Sequence, residues 1–526
     1  MNSTLSKQNI LYILLFGILV LLHFSGIGKL SIYALDEAKN AVAAYEMLER
    51  NDFILPTFND QPRFDKPPLH YYFFMAGYKL FGYSPFGARF FPALAGLFCI
   101  GMCAAFLKKQ FGDRATIFYL LLSIANIHWM IQFHMAVPDP FLISFLTVSY
   151  LYGLRYYQGN YQEPKLQYIS YAFLALATLT KGPVAILLYT VTFLAFIILK
   201  REFRLGPWFR IGPIVMLLAI ASSWYILVGI RTGGNWLEEF FLTHNLSRFG
   251  APMEGHGGLF LKTWLFVALG IFPFVLYIPA AFRFVLKSKK EAIGQKSDVL
   301  LFASIAAVAV IMFFSFASTR LPNYTTPAYP WLMILLAIFI SERLNQKIQL
   351  TLLITSTILV LGLGIGGSFG LAQIDYIQDI HPMAYLFLIA LIPLSLSFFF
   401  TFRKKLPYAF GSLAFSLATV TLIFLLWVMP AIDKQNPVLK TQHVWEGQEN
   451  IYYYGIPNPS FVFYLQRPIP LIDPATAKTG DLIITRKSSI QQFEDEGYTF
   501  KILTEANDLF ETPVSVIVQL VGSPSE

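Results

Sequence analysis

The chain has 526 residues, of which 56% are hydrophobic and only 13% are charged. About a quarter of the residues would be charged in a soluble protein, so the composition excludes that class. The net charge of +8 does not indicate nucleic-acid binding, because the basic residues concentrate in short segments between apolar runs. Apolar runs near twenty residues recur, the length that a helix needs to cross a bilayer. We therefore predict a polytopic α-helical membrane protein.

The first apolar run follows a single lysine, Lys7, and lacks a small-residue cleavage site. It is typical of a retained first span that also acts as a signal anchor. Thirteen spans are predicted in all, and an odd number places the two termini on opposite sides of the membrane. The predicted spans are 8–28, 86–107, 114–133, 138–157, 167–180, 183–199, 211–230, 259–282, 298–319, 326–341, 348–371, 383–402 and 407–430.

Two features of these runs allow more than one interpretation. The span 167–180 is short, and the break at Thr180–Pro183 leaves a re-entrant turn as an alternative to two spans. Cys99 and Cys103 lie four residues apart on one apolar segment, without polar neighbours. That setting favours packing over metal binding or redox chemistry.

Basic residues are distributed unequally between alternate loops, and this predicts the orientation. The loops after even-numbered spans are rich in lysine and arginine, as at 200–210 and 403–405, whereas the loops on the other face carry few. By the positive-inside rule, the basic loops and the N-terminus lie in the cytoplasm. We expect a multi-pass protein of the cytoplasmic (inner) membrane, with residues 29–85 and the tail on the periplasmic side.

Composition divides the chain into a transmembrane domain over 1–430 and a soluble domain over 431–526. Within the first outer loop, 29–85, apolar residues at three-to-four spacing predict an amphipathic helix at 36–49 lying on the membrane. Pro67 and Pro68 are placed to open a second surface helix, after a proline-rich connector at 53–64. The tail reads as a small α/β domain with short strands at 451–455, 461–465, 481–485, 499–503 and 514–521.

Several charged residues of the outer face are candidates for chemistry. Asp36 and Glu37 open the first surface helix, where an acid either caps the helix or acts as a general base or a ligand of sugar hydroxyls. Asp65 and Lys66 precede the two prolines and form either a surface ion pair or, through the lysine, a contact for a lipid phosphate. Arg63 is close enough in sequence to add to that contact.

Further outer-face residues lie near the ends of later spans. Asp139 stands between two prolines and is either a helix cap or a second site carboxylate. Lys181 either snorkels to the interface or contributes to the site. Arg248 is suited to clamp a phosphate together with Lys66, and Tyr324 is either an aromatic-belt residue or a site phenol.

The loop 231–258 also holds His244 and His256, twelve residues apart among scattered acids. This pattern leaves a divalent metal open without defining its ligands.

All these candidates fall on one face under a single predicted topology, whereas the middles of the spans are almost free of charge. A transporter of sugars or polyprenyl lipids would instead keep polar residues near the middle of the membrane, on broken helices. A third class, a binding or assembly scaffold, needs no defined lysine at the surface. The clustering favours interfacial chemistry on a lipid-linked substrate over both alternatives.

Five sequence motifs carry a resemblance to a known family. The run L-D-E-A at 35–38, the run F-D-K-P-P-L-H-Y-Y at 64–72 and the later landmarks T-K-G-P, N-L-S-R-F and R-L-P-N-Y-T-T-P-A-Y-P stand in the family's order. Together they resemble the GT-C membrane glycosyltransferases, in particular the lipid A aminoarabinose transferases and, more distantly, the protein O-mannosyltransferases. The resemblance covers about residues 10–340, and the tail only in general plan.

The resemblance implies a GT-C fold and sugar transfer from a polyprenyl-phosphate donor to lipid A, another glycan or a protein hydroxyl. Asp36 matches the family's essential acid, and Asp139 matches a second site carboxylate. Lys66 and Arg248 match positions that hold the donor phosphate, and Tyr324 sits where a tyrosine near that phosphate is expected. Asp65 departs from the glutamate common in lipid A transferases, which puts a metal-ligand role at this position in doubt.

Overall fold

A computed structural model describes residues 6–246, 259–291, 294–509 and 513–522. Long helices dominate, because a backbone that crosses hydrocarbon must satisfy its own N–H and C=O groups. In the first half they are α1 (Lys7–Phe24), α2 (Leu35–Glu49), α3 (Leu69–Phe81), α4 (Pro85–Phe111), α5 (Asp113–Ile124), α6 (Ile127–Phe133), α7 (Asp139–Gln158), α8 (Pro164–Lys181), α9 (Val184–Lys200), α10 (Ile211–Arg231) and α11 (Asn235–Glu238).

The second half continues in the same way and ends in shorter helices. These are α12 (Leu261–Gly270), α13 (Ile278–Glu291), α14 (Gln295–Phe316), α15 (Tyr329–Arg343), α16 (Gln346–Leu361), α17 (Gly367–Leu371), α18 (Leu391–Phe402), α19 (Leu406–Ile423), α20 (Met429–Asp433), α21 (Pro437–Lys440), α22 (Gln442–Trp445), α23 (Ser460–Leu465) and α24 (Ile490–Asp495). Several are extended by 3-10 or π-helical turns, at Glu239–Leu246, Phe274–Tyr277, Pro322–Ala328, Gly362–Gly366, Gln378–Ala390 and Phe424–Val428.

The polytopic helical fold predicted from composition is confirmed. Each predicted span coincides with a helix or with a bent pair of helices. Within the described residues, eight helices are long and apolar enough to cross a membrane, or up to ten if each bent pair is one span. The bent pairs are α5 with α6, at 69°, and α12 with the helix that follows it, at 110°. The count of thirteen therefore stays a prediction.

The first outer loop is packed more deeply than its sequence predicts. Helix α2 begins one residue before the predicted start and ends where predicted, and most of its side chains are buried within the protein. Its alanines, among them Ala38, Ala41 and Ala44, are fully buried, because small side chains let neighbouring elements approach closely. The connector after it contains a hairpin, β1 (Thr57–Phe58) and β2 (Gln61–Pro62), instead of extended chain.

The end of the chain forms a four-stranded mixed sheet of β3 (Ile451–Tyr453), β4 (Leu482–Arg486), β5 (Thr499–Asn507) and β6 (Val514–Gly522). The strand order is β3-β4-β6-β5. Strands β3 and β4 are parallel, whereas the other pairs are antiparallel. The predicted strand 461–465 is wrong, since these residues form helix α23. A short apolar run does not distinguish a strand from a buried helix by its pattern.

Hydrogen bonds attach this C-terminal region to the first outer loop. The Asp433 carboxylate accepts from the backbone N–H of Ser31 at 2.7 Å and from its hydroxyl at 2.6 Å. The Asn59 amide donates to the carbonyl of Ile469 at 2.8 Å and accepts from its N–H at 2.6 Å. Both segments therefore lie at the same end of the helical bundle, as the predicted topology requires.

One buried ion pair connects the outer loop to the transmembrane helices. Arg89, on α4, donates from Nε and Nη2 to the two carboxylate oxygens of Glu37, at 2.7 and 2.8 Å. The same guanidinium donates to the backbone carbonyls of Ile27, Leu30 and Ser31. Since both side chains are almost inaccessible to solvent, every donor and acceptor needs a partner within the protein.

Replacing Arg89 with methionine should destabilise the protein by about 3–5 kcal/mol, because Glu37 would remain buried without a countercharge. Thermal unfolding in detergent measures the effect as a large drop in Tm. Lys108→Met is the matched control, since Lys108 lies 3.6 Å from Asp113 with both side chains largely exposed and should cost at most about 1 kcal/mol. Equal Tm values for the two variants would contradict the assigned role of Arg89.

Candidate active site

Asp36 lies in the first turn of α2, at the end of the bundle covered by the outer loop. The N-cap residue of this helix is Ala34, so Asp36 does not cap the helix. The Asp36 side chain is open to solvent although protein atoms surround it on most sides. This combination is typical of a carboxylate on a concave surface.

Two cations control the charge of Asp36. Burial opposes ionisation of the carboxyl, but the positive charges of Lys66 and Arg63 outweigh that effect and lower the pKa of Asp36. The negative charge of Asp65 acts in the opposite direction with a smaller influence. Asp36 is therefore ionised at neutral pH and available as a base or as a counterion for developing positive charge.

The cations are held by the turn before α3. Arg63 donates to both oxygens of Asp65, from Nε at 2.5 Å and from Nη2 at 3.0 Å. Lys66 Nζ lies 3.5 Å from the second oxygen, and its side chain is 9% exposed. Pro67 and Pro68 then fix the backbone at the start of the helix. Asp65 thus orients the two cations, instead of forming an isolated surface ion pair with Lys66.

The structure gives Arg63 a larger part than the sequence suggested, and it adds Tyr71 to the predicted set. Arg63 Nη1 is buried and has no hydrogen-bond partner among the described residues, and the same is true of the Tyr71 hydroxyl. Burial raises the pKa of Tyr71, so its phenol stays protonated and can donate. A buried donor without a partner is uncommon in proteins and is often completed by a ligand or water. The only sequence feature that points to Arg63 as a site residue is its proximity to Lys66. Tyr71 cannot be distinguished in the sequence from the apolar residues of its helix.

A second group of site candidates forms around the start of α7. Lys181 Nζ donates to the Asp139 carboxylate at 2.6 Å and lies 4.9 Å from the centre of the Tyr324 ring. The Asp139 side chain is almost fully buried. The structure therefore brings three predicted residues together, and Lys181 is engaged with them instead of reaching into the lipid interface. The cation contacts both a carboxylate and an aromatic face.

Two contacts connect the first group to the second. The backbone N–H of Ala136, three residues before Asp139, donates to Glu37 at 2.7 Å. The Phe73 ring, on α3, stacks on Phe141, on α7, with centroids 4.6 Å apart. The start of α7 therefore packs directly against the outer-loop helices. Both groups border the same end of the bundle.

Glu37 was predicted as a substrate-binding residue, but the structure assigns it a different position. Arg89 and the N–H of Ala136 occupy its two carboxylate oxygens. It points into the protein, while its neighbour Asp36 points into the concave surface. We therefore treat Glu37 as the residue that holds the start of α2 in place.

Arg248 lies outside the described residues, as do Glu254 and His256, and the side chain of His244 is likewise not described. The segment that leads toward Arg248 is described and packs on the cationic turn. Trp236 Nε1 donates to the carbonyl of Arg63 at 2.8 Å, and Trp236 packs on Trp224. Trp236 thus contacts the segment that holds Lys66, and the role of Arg248 stays a prediction.

No group of three or more His, Cys, Asp or Glu side chains is arranged to hold a metal ion in the described part of the chain. The divalent metal left open by the sequence therefore has no defined ligand set among these residues. Cys99 and Cys103 are both buried and free of a disulfide, in agreement with a packing role.

Comparison with known proteins adds family information to this geometry. Residues 65–226 match a family described as dolichyl-phosphate-mannose-protein mannosyltransferase. An uncharacterized protein of Aquifex aeolicus is 26% identical over 475 residues, 89% of each chain. An undecaprenyl phosphate-alpha-4-amino-4-deoxy-L-arabinose arabinosyl transferase of Yersinia enterocolitica is 25% identical over 427 residues, 76% of this chain and 74% of that one.

A solved structure shares the fold. The crystal structure of ArnT from Cupriavidus metallidurans bound to undecaprenyl phosphate superposes with a TM-score of 0.79, at 20% identity, over 96% of this chain and 97% of that one. The transmembrane bundle and the C-terminal region both fall within that match. The chain therefore has the fold of this membrane protein over nearly its whole length. More particularly, this is the GT-C fold that the sequence motifs imply, and residues 65–226 are similar to a family of membrane sugar transferases.

The lowered pKa of Asp36 generates a prediction about pH. Arg63→Gln removes one of the positive charges that keep Asp36 ionised, so the pKa of Asp36 should rise. If transfer requires ionised Asp36, the acid limb of the pH–rate profile should move to higher pH. Sugar transfer measured across the acid range tests this directly.

Arg50→Gln is the matched control for that experiment, because Arg50 lies on the same outer loop but is paired near Glu46 and Asp60. Its pH–rate profile should match that of the unmodified protein. An acid limb that stays in place in Arg63→Gln, with activity retained, would contradict electrostatic control of Asp36 by Arg63.

Proposed function

We propose that the enzyme transfers a sugar from a polyprenyl (undecaprenyl) phosphate donor to an acceptor on the outer face of the cytoplasmic membrane. The observation that carries the proposal is the position of ionised Asp36 opposite the buried cations Lys66 and Arg63. An anionic lipid phosphate fits the cations, and the carboxylate is placed for the sugar or the acceptor. Relatives named as undecaprenyl-phosphate aminoarabinose transferases support the same donor class.

The chemistry follows from stabilising the leaving group. The acceptor oxygen attacks the anomeric carbon, and the bond to the phosphate oxygen breaks with its electron pair remaining on the polyprenyl phosphate. Lys66 and Arg63 stabilise the negative charge that develops on this group, and their effect is large because both side chains are buried and already oriented. Direct displacement of this kind inverts the anomeric configuration.

Asp36 acts on the acceptor or on the sugar, and not on the leaving phosphate. When the acceptor is a hydroxyl, of a glycan or a protein, Asp36 takes its proton as a general base. When the acceptor is a lipid phosphate, as in lipid A, the nucleophile is already anionic and Asp36 stabilises positive charge on the sugar ring. Both roles need the same ionised carboxylate facing the cations.

The second group completes the site. Lys181 is held between the Asp139 carboxylate and the Tyr324 ring, so its charge is fixed in position and partly neutralised. We propose that this group lines the sugar or acceptor side, where hydroxyl groups need both donors and acceptors. Arg248 would join Lys66 on the phosphate side.

Asp36→Asn should reduce sugar transfer by about 10²–10⁴-fold or more, since asparagine neither accepts the acceptor proton nor carries the charge. The assay combines purified protein, a polyprenyl-phosphate sugar and membrane acceptor lipids, with the product followed by mass spectrometry. Binding of polyprenyl phosphate should persist in this variant, because the cations remain.

Glu49→Gln provides the control for this substitution, because it also removes a carboxylate from α2 but at the opposite end of the helix. It should transfer sugar at the unmodified rate. Normal activity of a well-folded Asp36→Asn protein would exclude the proposed role of this residue.

The proposed orientation has a separate test. Ser488→Cys in the C-terminal region and Gln295→Cys at the start of α14 place exposed thiols at predicted periplasmic and cytoplasmic positions. A membrane-impermeant maleimide applied to spheroplasts should label the first and spare the second. The two native cysteines are buried and give little background. The reverse labelling pattern would contradict the proposed orientation.

A further inference from the structure

An apolar groove lies between α8, α9 and α10, and its lining includes none of the candidate site residues. Its volume is about 260 Å³, and its wall includes Tyr189, Phe193, Leu194, Trp208 and Leu217. The groove faces the segment 201–210, whereas Lys181 ends α8 on the other side of the bundle. Since α8 has 18 residues, the two ends are about 27 Å apart. Hydrocarbon is the chemistry that this lining accepts.

The segment beside the groove has a composition typical of chain that lies at a membrane interface. Phe203, Phe209 and Ile211 are exposed by 71%, 68% and 79% of their surface. Arginines alternate with these apolar side chains along the same segment. Exposed aromatic and aliphatic groups between arginines are typical of chain that lies at the level of lipid headgroups.

Two arginines are anchored directly next to groove residues. Arg204 precedes Leu205, a lining residue, and donates from Nη1 to the Asn160 side chain at 2.9 Å. Arg210 follows Phe209, also a lining residue, and donates from Nη2 to the carbonyl of Tyr161 at 3.2 Å. These bonds orient the guanidinium groups, each of which has five N–H donors, without neutralising either charge.

The local charge balance is positive. Residues 200–210 contain four basic side chains and one acid, Glu202. Lys200 is paired with Asp298 at 2.7 Å, which leaves the arginines as an excess of positive charge at the rim. A positively charged rim above an apolar groove is complementary to a lipid with an anionic headgroup.

We propose that this groove is a binding site for an anionic phospholipid. One acyl chain lies along Tyr189, Phe193 and Leu194, and the phosphodiester is bound by Arg204 and Arg210, which match its geometry with paired N–H donors. Because three helices form the groove wall, the bound lipid connects α8, which carries Lys181, to α9 and α10. Lipid binding therefore stabilises the bundle without contacting the reaction site.

The experiment measures lipid binding by native mass spectrometry on the full-length protein, delipidated in detergent. Phosphatidylglycerol and phosphatidylcholine with identical acyl chains are titrated separately. The unmodified protein should bind one phosphatidylglycerol in preference and gain thermal stability from it. The double variant Arg204→Gln with Arg210→Gln should weaken that binding roughly thirtyfold. Each basic side chain at an anionic surface contributes about 1 kcal/mol, and a loss of about 2 kcal/mol corresponds to this ratio.

Two further variants separate the contribution of the charges from the contribution of the apolar groove. Arg403→Gln with Lys405→Gln removes the same charge from another exposed basic loop and should leave binding unchanged. Leu194→Trp keeps every charge but fills the groove, and it should weaken phosphatidylglycerol binding and its stabilising effect. Any of three results would overturn the proposal. These are equal binding of the two lipids, an equal loss of binding in both double variants, and unaltered binding by Leu194→Trp.

Discussion

The buried bond between Arg89 and Glu37 is the interaction on which the arrangement of the outer end depends. Around it runs a continuous series of hydrogen bonds, from Asp433 through Ser31 to Arg89, and from Glu37 to the backbone of Ala136. This series joins the C-terminal region, the linker before α2, the transmembrane helix α4 and the start of α7. Removing a charge from such a network leaves the partner buried without compensation, so these elements hold one relative position.

That rigidity has a direct consequence for the site. Asp36 adjoins Glu37 in the first turn of α2, so the anchored residue fixes the direction of its neighbour. The cations opposite are fixed in a different way, by the fork between Arg63 and Asp65. Charges that are already oriented need no rearrangement as the reaction proceeds, and this is the main source of electrostatic catalysis. The site thus depends on residues that touch no substrate.

The sequence predicted the helical class, the positions of the long apolar helices and the separate candidates Asp36, Lys66, Asp139 and Lys181, because charge beside hydrocarbon is costly and therefore noticeable. It did not predict that Lys181 pairs with Asp139. It did not identify Arg89, which stands at the start of an apolar run and resembles an interfacial anchor. The partner of a buried ion is a matter of tertiary contact, and 52 residues separate Arg89 from Glu37. The short apolar run of α23 and the hairpin β1–β2 were missed because local pattern does not define their packing.

The distribution of ion pairs also bears on what the bundle does. Among the described residues, the salt bridges of the spanning helices lie near helix ends: Asp139 begins α7, Lys181 ends α8, Lys200 ends α9 and Asp298 stands in the first turn of α14. A transporter that carries a polar headgroup across the bilayer needs polar groups along its path, near the middle of the membrane. Here the charges form two separate layers with an apolar region between them. Such an architecture fits the proposed function, in which a lipid-linked substrate reacts at one surface while its hydrocarbon remains in the bilayer.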